Sequence, residues 1–405
     1  MNKLKSTKLY HYYYFAVMLG YTLVLFFDWM RPGVFASILM LVVAAELFFR
    51  KQIRLSGTVD YLVVMYLVYN LISVIWMTRN GLPVSVFTEE FSNSVLPVVF
   101  YMVGKTVGDE IGTYYRWFLV AVLYLCMIGL VLYIWAPQFY LDFLMNGHIS
   151  KADASTMRVR MNSLVGSTSL GAIACYGMLV SVYDVMKSRK RTIVGIVLLF
   201  VNFFFAMMSN QRAAMVVAFM VILYMNWLVF FSFKAIKVKY FFVEIGVLIA
   251  GLIGLCVADM DAVVKIYRRL VSLPEAIGQR SEQWVVAMDT LYNVWLGNGL
   301  GANGHKALAY EGAHVIADGG LVKLFCEEGV IGFSIFLFIL FLVCKAAGKR
   351  LKEYYVEIGI IAVALLLSIG SNILSFQLTT PIFWFAVGRC ATAIAEKKSE
   401  QEVSV

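Results

Sequence analysis

Apolar residues fall in long blocks along this chain, with polar residues gathered into the gaps between them. A block of about 20 apolar residues is the length a helix needs to cross a bilayer. About twelve such helices are expected, near 10–28, 33–49, 58–77, 93–108, 116–135, 164–184, 192–209, 213–232, 240–258, 319–344, 356–374 and 378–395. Pro97 and Lys105 interrupt the fourth. The expected fold is all-α: one polytopic transmembrane domain over 1–405, with most gaps short. Two gaps are longer, 136–161 and 259–318, and the second is the longest polar segment in the chain.

Composition agrees with the pattern. The chain is 61% hydrophobic and 15% charged, with a mean hydropathy of +0.80. A soluble domain carries roughly 25% charged residues. The basic residues set the expected orientation. Lys3, Lys5, Lys8, Arg50, Lys51, Arg54, Lys105 and Arg116 fall to one side, with Lys187, Arg189, Lys190, Arg191, Lys234, Lys237 and Lys239. Lys345, Lys349, Arg350, Lys352, Lys397 and Lys398 join them. Short loops rich in Lys and Arg stay in the cytoplasm, so both termini are expected there, and 136–161 and 259–318 outside. The first block follows Lys3, Lys5 and Lys8 without an A-x-A site, so it reads as a retained helix. The formal net charge of +9 marks orientation. It is spread over separate loops and makes no nucleic-acid face.

Candidate chemistry starts with the glycines of "LGNGLGANGH", Leu296–His305, where Gly299, Gly301 and Gly304 form G-x-G-x-x-G. A dinucleotide site needs that turn between a strand and a helix in a soluble βαβ unit. No stretch here is polar enough to build one. The glycines are expected to serve tight turns and close backbone approach instead. The six cysteines contain no C-x-x-C pair, so neither a disulfide framework nor a zinc site is indicated. The four histidines, His11, His148, His305 and His314, lack metal-ligand spacing. Asp259-Met-Asp261 is a D-x-D, but it stands at an outer helix end where nucleotide sugars are absent. No cofactor is expected.

The long loop holds two amphipathic stretches. In the first, Val263 to Leu273, Val263, Tyr267, Leu270 and Val271 recur at helical spacing and Pro274 ends the run. The second is expected as an interfacial helix from Ser281, an N-cap, to a stop at Gly297, with Trp284, Tyr292 and Trp295 at the membrane surface. Arg280 then precedes a helix N-terminus, a place that attracts phosphate. The alternative is a solvated or snorkelling Arg. Arg212 lies in a tight outer turn, as an anion ligand or as an interfacial anchor. Arg158 and Arg160 make a third basic spot before the sixth helix. Arg binds phosphate in a bidentate manner that Lys does not match. His314 and Asp318 stand where the loop re-enters the membrane, and Lys323, Glu327 and Glu328 follow. These carboxylates offer a general base or are simply interfacial charges.

Taken in order, these residues resemble the O-antigen ligase and polymerase superfamily. The loop pattern reads Arg280…Trp284…Gly297-Asn-Gly299-Leu-Gly301…Gly329-Val-Ile-Gly332. Ser209-Asn-Gln-Arg212-Ala213 is similar to the family's S-x-S-R-G turn, with Ala213 for Gly. Arg160-Met-Asn-Ser…Gly166…Gly171 is similar to the segment that opens the sixth helix. The likeness covers roughly 158–345. Ligases of the family carry H-[NSQ]-x9-G-x-x-G. Counting back from Gly329-Val-Ile-Gly332 gives Asp318-Gly319, with His314 four residues earlier. The ligase motif is broken, and the chain looks more like the polymerases.

The resemblance implies a GT-C-like enzyme of the bacterial inner membrane with its active site facing the periplasm. The substrates would be glycans on undecaprenyl diphosphate, the growing chain as donor and a single repeat unit as acceptor. Arg212, Arg280, Arg160 and Arg158 would hold the diphosphate leaving group. Asp318 or His314 would accept the acceptor's proton, with Glu282, Glu311, Glu327 and Glu328 next in line. No metal is implied, since arginines do a cation's work. A chain-length regulator protein and membrane lipid are the further partners implied. The alternatives are a ligase acting on lipid A core and a polysaccharide flippase or transporter. Spans nearly free of charge are expected to disfavour the transporter.

Overall fold

A computed structural model describes residues 8–27, 31–145, 160–188, 192–233, 271–310 and 318–403, with isolated positions between 241 and 268. The protein is an all-α polytopic membrane protein, with no strand among the described residues. Its helices are α1 (Tyr13–Phe27), α2 (Pro32–Phe49), α3 (Thr58–Arg79), α4 (Val84–Glu90) and α5 (Val99–Thr106). Next come α6 (Ile111–Trp135), α7 (Gln138–Met145), α8 (Ser167–Ser181, extended by Tyr183–Ser188), α9 (Thr192–Met208) and α10 (Arg212–Asn226). Last are α11 (Leu273–Asp289), α12 (Gly320–Gly348), α13 (Leu351–Gly370) and α14 (Thr380–Val403). Among the described residues, seven helical stretches are long and apolar enough to cross a membrane, and Tyr13–Phe27 and Ile193–Met208 are shorter apolar helices. The span expected at 240–258 lies mostly outside the described residues.

α8 is the hub. Its apolar window is 89% buried, against 33% for that of α2, so α8 packs on protein all round while α2 keeps an apolar face outward. Small residues permit this, as they do wherever membrane helices approach closely. Gly171 of α8 lies against Ser209 and Ala214, and Gly177 against Asn202. The fourth expected span is one helical run. α4 passes through a π turn at Phe91–Val95 and a 3-10 turn at Leu96–Val98 into α5. Pro97 accounts for the irregularity, since it lacks the N–H a regular helix requires there.

The helix of the long loop departs from expectation. It runs Leu273–Asp289 and has Pro in its first turn. Pro274 therefore opens this helix, a position its fixed φ suits. Arg280 sits mid-helix, and Ser281 donates to the Gly278 carbonyl (2.7 Å) instead of capping. Trp284, Ala287 and Met288 lie on the helix, while Tyr292 and Trp295 belong to the turns after it. Most of the stretch 263–270 lies outside the described residues, as do Arg158, Glu311 and His314.

The spans are not free of charge. Lys105 pairs with Asp60 (2.6 Å), Arg50 with Glu46 (2.9 Å) and Lys323 with Glu90 (2.6 Å), and Arg389 lies 3.9 Å from Glu357. Glu327, Glu328 and Glu357 are buried. Glu46, Asp60, Lys323, Glu327, Glu328 and Glu357 lie within runs whose average is strongly apolar, and an average conceals them.

Candidate functional site

Three stretches far apart in sequence meet at one end of the bundle. The first is 160–167. Met161 N–H donates to the Met208 carbonyl (3.0 Å), which fixes Arg160 beside the α9–α10 turn. Asn162 Oδ1 accepts from the Ser167 N–H (3.2 Å) at the start of α8. The second is the turn itself. Asn210 takes a left-handed conformation (φ 50°), which Asn tolerates better than most residues. Gln211 is extended and donates from Nε2 to Ser167 Oγ (2.7 Å). Arg212 is the first residue of α10. The helix-start setting expected for Arg280 thus belongs to Arg212, where the positive helix end adds to the guanidinium.

The third stretch is α11 and the start of α12. Arg280 Nε donates to Asp318 Oδ2 at 3.1 Å. Their side chains are 25% and 50% exposed, so both are open to a ligand. Trp284, one turn along α11, donates its indole N–H to the Asp318 carbonyl (3.2 Å). Gly320 N–H donates to the Ser371 carbonyl (3.2 Å), tying α12 to the turn after α13. Gly370 closes the arrangement. A methyl built on it would lie 2.9 Å from Arg280 Nη1 and 3.8 Å from Ala213 Cβ. Arg280 and the residue after Arg212 therefore lie across one glycine from each other. Among the described residues, the stretches carrying Arg160, Arg212 and Arg280 gather three cations against the single carboxylate of Asp318.

Beneath this site the glycine loop explains itself. α12 breaks at Gly329 (φ 63°, ψ −169°) and the loop fills the break. Asn298 and Gly299 N–H groups donate to the Cys326 and Glu327 carbonyls (2.8 and 2.9 Å). Val330 and Ile331 N–H groups donate to the Val294 and Trp295 carbonyls (2.9 and 3.1 Å). The groups freed by the helix break are satisfied by a second backbone, as a membrane interior demands. A Cβ on Gly297 would lie 2.5 Å from the Gly329 nitrogen, and both residues have positive φ. Only glycine fits either position. The Tyr69 hydroxyl lies 2.6 Å from the Glu328 carbonyl and 3.0 Å from the Leu296 carbonyl, joining α3 to the junction. Leu300, Ala302 and Ala307 pack on Met77, Val86 and Phe87 in a small core of their own.

The break also carries a buried charge cluster that sequence reasoning did not assemble. Lys323 Nζ lies 2.6 Å from Glu90 and 3.6 Å from Glu327, and donates to Ser375 Oγ (2.9 Å). The Asn303 N–H donates to Glu327 Oε1 (3.2 Å), and the Tyr66 hydroxyl donates to Glu328 Oε1 (2.6 Å). The spacing of Lys323 and Glu327, one turn apart in an apolar run, was the available signal. Glu90 gave none, because its partner lies 233 residues away along the chain, from 90 to 323.

Ser375 leads from this cluster to a cavity of about 880 Å³. Its polar lining includes Ser37, Thr88, Ser92, Asn93, Ser169 and Gln377, with Lys306 and Glu89 paired at 2.8 Å. Hydroxyls and amides of this kind match a polyhydroxylated ligand. The segment 370–378 runs from Arg280 to this cavity, so cationic site and cavity share one wall. No protein-family model matches the chain, and no curated protein does.

Proposed function

We propose that this protein is a membrane glycosyltransferase that polymerises lipid-diphosphate-linked oligosaccharide repeat units of a surface polysaccharide. The observation that carries the proposal is the meeting of Arg280 and the Arg212 turn across Gly370, beside a hydroxyl- and amide-lined cavity. The cationic site takes the diphosphate of the donor, and the cavity takes sugar. The motif resemblance of residues 158–345 supports the same assignment.

In the proposed reaction an acceptor hydroxyl oxygen attacks the anomeric carbon of the donor. The bond from that carbon to the diphosphate oxygen breaks, and lipid diphosphate leaves with the electron pair. Arg212 and Arg280, helped by Arg160 and Arg158, neutralise the charge that develops on the leaving group. Asp318 takes the hydroxyl proton, with His314 as the alternative base. Because Asp318 is bonded to Arg280, base and leaving-group clamp are held as one unit. The site is proposed to face the periplasm of the bacterial inner membrane, with both termini cytoplasmic. An impermeant thiol reagent should therefore label an engineered H305C in intact spheroplasts, since His305 is exposed. Protection until lysis would reverse the orientation.

One observation favours a second reading. A broken helix beside buried ionisable side chains is a transporter's feature, and α12 breaks at Gly329 beside Lys323, Glu327 and Glu328. On that reading the protein would be a lipid-linked-oligosaccharide flippase. Purified protein given lipid-linked repeat units distinguishes the readings. A ladder of products is expected. Transfer of finished polymer to lipid A core would make it a ligase, and translocation with no new glycosidic bond would make it a flippase.

A further inference from the structure

A second polar cavity lies at the far end of α13. This helix begins at Leu351 and ends at Gly370, against Arg280. It kinks at Tyr354, and its 20 residues span at most roughly 30 Å at 1.5 Å per residue. That is about the thickness of a bilayer's hydrocarbon core. A pocket at its start therefore sits one bilayer away from the arginine site, at the depth of the other leaflet's phosphates. The cavity holds about 580 Å³.

Its lining is cationic and aromatic. Lys187, Lys352 and Arg389 face it, with Tyr183, Tyr355 and Phe233. Lys187 Nζ donates to the Tyr183 hydroxyl (3.0 Å), which holds the ammonium at the wall. Arg389 Nη1 donates to Thr392 Oγ1 (3.3 Å), and its guanidinium rests 5.2 Å from the Tyr354 ring centroid. Arg389 Nε is buried with no hydrogen-bond partner, its nearest carboxylate being Glu357 at 3.9 Å. Two carboxylates also line the cavity, Asp109 and Glu353, and Arg350 pairs with Glu353 at 3.3 Å. Among the described residues the lining thus sets three cations against two carboxylates, Asp109 and Glu353, the second also paired with Arg350. Its volume far exceeds that of a lone phosphate ion, and aromatic rings at headgroup depth suit a lipid.

We propose that this cavity binds the phosphodiester headgroup of a membrane glycerophospholipid, in the leaflet opposite the Arg280 site. Basic pockets between membrane helices recognise lipid headgroups in this way. The phosphate sits between Arg389 and the two lysines, and the glycerol and first acyl carbons lie against Tyr183, Tyr355 and Phe233. The proposal is independent of the glycosyl-transfer reading.

Native mass spectrometry of the purified chain tests it, with phosphatidylglycerol, phosphatidylethanolamine and diacylglycerol offered at equal concentration. Retention of the two phospholipids over diacylglycerol is expected, unaffected by millimolar inorganic phosphate. K187A/K352A should reduce phospholipid retention roughly thirty-fold, from the surface attraction of two basic residues. R389Q should reduce it as well. Because R389Q also strips Glu357 of its partner, the lysine pair provides the variant that leaves buried pairs intact. Equal retention of diacylglycerol, or retention unchanged in K187A/K352A, would overturn the proposal. Displacement of the lipid by inorganic phosphate would also overturn it, since it would show a free-anion site.

Discussion

Two clusters of charged side chains occupy the same end of this protein and are built in opposite ways. The Arg280–Asp318 pair is partly open, with Asp318 half-exposed, and it lies beside a helix start at Arg212. The Lys323–Glu90–Glu327 cluster is shut away, and the structure itself supplies its partners in Ser375, Asn303 and the opposing charges. Charge that is satisfied internally holds elements together. Charge left with capacity toward solvent is free to meet a ligand. On the proposed function, the buried cluster serves the fold and the open pair serves the chemistry, and substitutions in the two should fail differently.

The largest effect is expected in the closed cluster. Lys323→Met keeps the stem and removes the charge, leaving Glu90 and Glu327 buried together. Breaking a buried pair by removing one partner costs about 3–5 kcal/mol. The variant should accumulate poorly in membranes and melt early in detergent. Adding Glu90→Gln should restore part of the loss, since it removes one of the stranded charges. If K323M accumulates and melts like the parent protein, the cluster is not structural, and the transporter reading gains.

In the open site the expectation is reversed. Arg212→Ala and Arg280→Ala should reach the membrane at normal levels and melt normally. Polymer formation should fall by about 10²–10³, the typical loss for one transition-state donor. Lys at either position should rescue poorly, because a point charge does not copy the guanidinium fork. Near-normal ladders from both Ala variants would remove the diphosphate clamp.

What the sequence disclosed follows the same division. The helices were legible because membrane spans are written as long apolar blocks, and block length alone places most of them. The three basic stretches were legible as candidates because polar residues are few. Their meeting was not, since it depends on Gly370, a glycine inside the last turn of a span with no motif around it. The function of the glycine loop was only half legible. Positive φ and close approach follow from glycine itself, but the partner of Gly297 is Gly329, in the break of α12. A periodicity argument passes over that break because α12 stays apolar through it. The start of α11 differs from the expected Ser281 for a local reason: Pro274 can end one helix or begin another, and only packing chooses.

Asp318 sharpens the comparison because it is both a proposed base and the partner of Arg280. Asp318→Asn retains an oxygen that can accept from Arg280 Nε and loses the basicity. As the base, Asp318 contributes on the order of 10²–10⁴ in rate. The N variant should therefore stall at single-repeat or very short glycans while substrate binding stays close to normal. If the loss is only several-fold, Asp318 orients Arg280 and the base is elsewhere. His314 would then be tested by His314→Ala, ahead of Glu282 and Glu311, while Glu327 and Glu328 are buried in the closed cluster.

The smallest effect is expected at Trp284, which touches the site only through another residue. Its indole N–H donates to the Asp318 carbonyl, and its ring lies against Gly319. It holds the start of α12 on α11 and so sets where the Asp318 carboxylate stands. Trp284→Phe keeps most of the ring and deletes one hydrogen bond. A neutral hydrogen bond of this kind contributes about 1 kcal/mol net, which corresponds to roughly five-fold in rate if it is spent entirely on geometry. The expected result is a ladder of shorter products with unchanged accumulation and unchanged melting. Trp284→Ala removes the ring as well and should cost more, since Gly319 loses the surface it packs on. Arg280→Ala and Asp318→Asn remove groups that meet the reacting atoms, and Trp284→Phe acts one contact further out. If Trp284→Phe proves as severe as Arg280→Ala, the indole itself meets substrate, and the open site extends along α11 beyond the arginine.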